Sequence, residues 1–125
     1  MTTGDLARAT AYLVDQMTKA AQATVPLGQV MVVSNDVSTY EDQSVAYVLV
    51  MAMDETRPSD NPDTLAATAA AQLQRLGWTT EIRPEDDYRD VQAHHPKGPG
   101  YKISVLCKAN SPVTQWNGHT PGCRG

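Results

Sequence analysis

At 125 residues, with 41% apolar and 19% charged side chains, the chain has the size and composition of one globular unit that buries about two-thirds of the surface its unfolded form exposes. A formal net charge of −4 with no basic stripe excludes the broad electrostatic grip on nucleic acid that Lys and Arg supply by displacing counterions from phosphates. No apolar run approaches the roughly 20 residues that span a bilayer, so contact with a membrane would need a lipid anchor that this segment does not carry.

Residues 4–24 place Leu6, Ala9, Leu13, Met17 and Ala20 or Ala21 at helical spacing with polar residues on the other faces, which predicts an amphipathic helix ended by Pro26 and Gly28. A β-branched run, 29–33, reads as a strand. The polar stretch 34–43 reads as a connection outside the core, and 44–53 reads as a second strand. In that strand Val45, Tyr47, Leu49, Met51 and Met53 alternate with Ala46, Val48, Val50 and Ala52, which predicts burial on both faces and a central place in the sheet.

Asn61, Pro62 and Asp63 supply a helix cap, a proline at the first helical position and an acidic first turn. Leu65, Ala69, Leu73 and Leu76 form the stripe of that second helix, and Gly77 suits its left-handed C′ position. Further strands are expected at 78–82, briefly at 91–93, at 101–105 with one wet face, and at 113–116. The fold class is therefore α+β, a single domain over residues 1–125 in the order αββαβ(β)ββ, with two helices on one face of a mainly antiparallel sheet. No internal repeat is visible.

Cys107 and Cys123, the only cysteines, both fall in the last fifth of the chain. The stretch around Cys123 is rich in turn residues, and a Cys107–Cys123 disulfide is expected to hold it, contributing about 3 kcal/mol through loop-closure entropy. Disulfides persist in exported proteins, so the bridge predicts an extracellular or cell-envelope setting. The first five residues lack signal-peptide features, which leaves either a mature segment with its leader removed or, as second choice, a cytoplasmic chain.

His94 and His95 stand together on a Pro-Gly-rich turn, and His119 is the third imidazole. Adjacent imidazoles diverge, and the thiols show no zinc spacing, so loop roles are expected ahead of a metal site. The acidic pair Asp86 and Asp87 reads as a solvated hairpin edge. No nucleophile motif and no phosphate loop occurs, and neither catalytic residues nor a cofactor are expected. Tyr88 and Trp116 are the leading surface-contact candidates, with His94, His95 and His119 as further binding candidates.

Several local features together resemble small lipoprotein domains exported by actinobacteria, the LppA-like mycobacterial lipoproteins and similar streptomycete proteins of unknown function. They are the Pro26-Leu27-Gly28 step after the first helix, Leu76-Gly77-Trp78 after the second, the Asp86-Asp87-Tyr88 hairpin, the strand opening Gly100-Tyr101-Lys102-Ile103, and the closing Thr120-Pro121-Gly122-Cys123. The resemblance implies an α/β sandwich carried on a lipid anchor, with the C-terminal cysteine paired to one near the first strand. Here Ser34, Asn35 and Asp36 occupy that place, so a bridge would have to use Cys107. No catalytic role is implied.

The expected function is a non-enzymatic envelope or extracellular lipoprotein-type binding domain that contacts another protein or a small ligand. Three alternatives are a phage-encoded surface exclusion factor, a metal-dependent protein or enzyme built on His94, His95 and His119, and a cytoplasmic immunity-type inhibitor of a basic toxin.

Overall fold

The computed structural model describes residues 3–54, 62–85, 87–95, 100–108 and 113–124. Helix α1 (Thr3–Thr24) leads into the hairpin β1 (Gln29–Tyr40) and β2 (Gln43–Met53). Helix α2 (Pro62–Arg75) leads into β3 (Thr79–Pro84) and β4 (Tyr88–His94), followed by β5 (Lys102–Lys108), β6 (Val113–His119) and a two-residue β7 (Cys123–Arg124). The sheet is antiparallel throughout, in the order β1-β2-β6-β5-β4-β3, with β7 paired to the start of β2. Two helices and this antiparallel sheet make an α+β fold.

The strand order is symmetric about the central β5–β6 hairpin, because each flank is a helix followed by a hairpin whose first strand is the edge. This symmetry lies in the connectivity and leaves almost no trace in the residues.

Both helices lie on one face. The residues of β2, β4, β5 and β6 that point toward them, among them Val48, Val50, Val91, Ile103, Val105 and Trp116, are buried against Leu13 and Met17 of α1 and Leu65, Ala69 and Leu73 of α2. The small residues of both helices let them approach the sheet and each other. Gly118 on β6 continues that fit, since a Cβ there would lie 2.6 Å from Met17 Sδ and 3.2 Å from Leu13 Cδ1.

At the end of α2 the amide of Trp78 donates to the Leu73 carbonyl and that of Gly77 to the Gln74 carbonyl, the two bonds of a Schellman cap. Gly77 takes φ +96° there, a conformation costly for residues with a Cβ. The cap delivers Trp78 into the core, where its Nε1–H donates to Gln16 Oε1 of α1 at 3.1 Å.

Two expectations about β1 and β2 need correction. The polar residues 34–40 continue β1 rather than forming a connection, with one extra residue at Val33 where the register shifts. An edge strand needs no apolar alternation, which is why the composition misled. In β2 only the helix-facing side is fully buried: Tyr47 is 50% exposed and Met53 36% on the other, because no second layer covers the outer face.

The C-terminal segment is held to β2 by hydrogen bonds. Thr120, 1% exposed, donates its amide to the Ala46 carbonyl and accepts the Ala46 amide on its Oγ1, both at 3.0 Å, so its hydroxyl completes a ladder that Pro121 interrupts. Replacing Thr120 by the isosteric valine leaves the Ala46 amide buried without an acceptor. Chemical denaturation should then show a loss of about 1–3 kcal/mol, and a loss below a few tenths would contradict this role.

Candidate functional site

The Cys107–Cys123 bridge is not formed. Cys107 is a free, fully buried thiol on the helix-facing side of β5. It pairs with Thr114, which pairs with Ala52, whereas Cys123 pairs with Ser44 at the other end of β2. Eight positions along one strand (52 − 44) separate their levels, about 26 Å at the rise of a β-strand, while a disulfide needs Cα atoms within roughly 7 Å. Proximity in sequence was misleading, because β6 carries the chain back across the length of the sheet before β7 begins.

Burial first, and the negative charge of Asp90 second, push the Cys107 thiol up from 9.0 to about 12. Roughly one thiol in ten thousand is then ionised at pH 8, so Cys107 should resist iodoacetamide in the folded protein and react once denaturant is added. Peptide mapping after labelling measures this, and prompt native labelling of Cys107 would refute it. The raised value also gives stability that is complete below pH 9 and lost as the pH climbs toward 12.

Trp116, expected at the surface, is 0% exposed. It sits on the helix-facing side of β6 between Val50 and Val105, and its Nε1–H donates to Thr114 Oγ1 at 2.9 Å. Tyr88, at the start of β4, is half-buried and lies across from Lys108. Asp87 is exposed in the β3–β4 turn, and Asp86 lies outside the described residues.

The three histidines take separate places. His95 is half-buried in an aromatic cluster, with Tyr12 Oη 2.8 Å from its Nε2 and the rings of Trp78 and Tyr101 at 5.1 and 6.0 Å. His94, the neighbouring residue, is exposed on the outer face of the sheet. His119 also lies on the outer face, and the register sets Tyr47, His119, Lys102 and His94 side by side across β2, β6, β5 and β4. Among the described residues no three potential metal ligands converge.

That row, unseen in the sequence because its members come from four strands, borders a shallow pocket of about 240 Å³ lined by Tyr47, Lys102, Ser104, Asn117, Gly118 and His119. Beside it, Asp90, Gln92 and Ser104 form a polar network. Ser104 Oγ donates to Asp90 Oδ1 at 2.8 Å, and Gln92 Nε2 donates to Asp90 Oδ2 at 2.6 Å and to Ser104 Oγ at 3.2 Å.

The second candidate region is the β1 edge. The two edges of the sheet differ in kind. Edge β3 is six residues long and carries Glu81, Arg83 and Pro84, with Arg83 and Glu81 3.7 Å apart, the devices that protect an edge from pairing. Edge β1 is twelve residues long, has Asp36 as its one charged residue, and exposes Met31 (59%), Val32 (42%), Val33 (51%) and Val37 (58%). Between this edge and α1 runs a groove of about 810 Å³ whose lining includes Leu6, Thr10, Val14, Asn35 and Val37. Among the described helices none is long and apolar enough to cross a membrane. No known protein family matches the chain, and no curated protein or solved structure matches it.

Proposed function

We propose that the chain is a non-catalytic protein-binding domain whose partner adds an extended segment to the free edge of β1. The observation that carries this is the contrast between the two edges: β3 is short, charged and closed by proline, whereas β1 is long, nearly uncharged and apolar. A bare edge offers a row of backbone donors and acceptors that pair with any incoming strand, and a sheet that leaves one edge unguarded is open to such pairing there.

The groove supports the same reading. A strand laid beside β1 at the usual spacing of about 4.8 Å would place every second side chain between β1 and the outer flank of α1, where Val14, Leu6 and Val37 provide apolar contact. Affinity would come from the main chain and specificity from the groove. An exported setting now stands on the lipoprotein resemblance alone, because a buried free thiol at Cys107 serves either compartment.

The test is selection from a displayed library of random peptides against the folded chain. Enriched peptides should alternate apolar and polar residues and should lose binding when β1 carries lysines. Enrichment of peptides that bind equally well to such a variant would overturn the proposal.

A further inference from the structure

We infer that the outer-face pocket walled by Tyr47, Lys102, Ser104, Asn117 and His119 binds a compact oxyanion, the carboxylate or phosphate group of a ligand. This site lies on a different surface from the β1 groove and stands independently of it.

The hydrogen-bond inventory decides the ligand class. Lys102 forms no ion pair among the described residues, so its ammonium is free to meet an anion. Asn117 Oδ1 accepts from Gln115 Nε2 at 3.5 Å, which leaves the Asn117 amide N–H groups to donate. The Tyr47 hydroxyl is a further donor, on a ring half exposed and stacked at a tilt on His119, with centroids 5.9 Å apart. His119 Nδ1 lies 3.0 Å from the Thr120 carbonyl, and because a carbonyl only accepts, Nδ1 carries the proton; Nε2 is then an acceptor, so His119 walls the pocket beside Tyr47 without donating to the anion.

Gly118, also at the pocket, projects no side chain into it. The carboxylates on the same face do not compete for Lys102. Both oxygens of Asp90 are taken by Ser104 and Gln92, Glu81 is beside Arg83, and Asp36 lies beyond Tyr47 on the far side of the row. Lys102, Asn117 and Tyr47 supply the donors, and among the described residues that line the pocket Lys102 is the cation, set in the row between His119 and His94.

Titration of the ¹⁵N-labelled chain with inorganic phosphate and, separately, with acetate tests the site, with sodium chloride at matched ionic strength as the control. Saturable shifts confined to the amides of Lys102, Ser104, Asn117, Gly118 and His119 are expected. Stronger binding of phosphate identifies a phosphate ester as the natural group, and equal or stronger binding of acetate identifies a carboxylate. Lys102→Gln should weaken binding about tenfold or more. Asn117→Asp, which keeps the side-chain size and places a carboxylate in the pocket, should do the same. Shifts no larger than those of chloride, or saturable shifts that survive both substitutions, would overturn the inference.

Discussion

Replacing Trp116 by alanine should destabilise the fold by about 3–5 kcal/mol, among the largest effects of any single substitution in this chain. The indole has no exposed surface and sits where β2, β6 and β5 meet beneath the helices, beside Val50 and Val105. Its removal leaves a cavity that the neighbouring strands, paired on both sides, cannot close by shifting. It also strands the Thr114 hydroxyl, itself 2% exposed, which accepts the indole N–H. A domain of this size has a total stability of roughly 5–15 kcal/mol, so the variant should melt well below the parent or fail to fold at 37 °C. Trp116→Phe separates the two contributions, since it fills most of the volume and loses only the hydrogen bond. A cost below about 1 kcal/mol for the alanine variant would mean that Trp116 lies at the surface.

Placing lysine at both Val32 and Val37 should leave stability within about 1 kcal/mol while weakening peptide binding at the β1 edge about tenfold or more. Both valines are exposed, at 42% and 58%, so neither substitution opens a cavity. Their register partners are Val50 and Ala46, which puts them on the side of β1 that faces the helix layer, where an added strand would lay its own apolar side chains. Two ammonium groups there must be desolvated before a strand can pair, and they repeat on β1 the protection that Arg83 already gives β3. Equal binding by parent and variant, with both folded, would exclude this edge as the contact.

Much of the scaffold was legible in the residues. The stripe of Leu13 and Met17, the Pro62-Asp63 start of α2 and the Gly77 cap are local signals that fix helices regardless of context, and Ile103 and Val105 alternate with polar residues as a one-sided strand must; Asn61, expected as the cap of α2, lies outside the described residues. What escaped was whatever depends on strand order. Residues 34–40 are polar, and only their place at the sheet edge makes them strand. Trp116 is flanked by Gln115 and Asn117, and the inward side of its strand reads Thr114, Trp116, Gly118, which resembles a core pattern only once Met17 is known to fill the space over the glycine.

The sites were harder still to read. The two cysteines are near in sequence and far apart in space, and the His94–His95 pair splits between the outer face and an aromatic cluster. Lys102, central to the outer-face pocket, gave no signal in the sequence beyond being the polar partner in an alternating strand. The β1 edge was hidden for the same reason as its strand, since nothing in residues 29–40 announces that they end the order of the described strands.

Strand addition at β1 is tested most directly by isotope-edited NMR on the folded chain bound to a peptide enriched in the display selection. Cross-strand contacts between the peptide backbone and the backbone of Met31 to Ser38 are the expected result. Peptide contacts that fall only on the outer face, or on α1 with none to the β1 backbone, would contradict it.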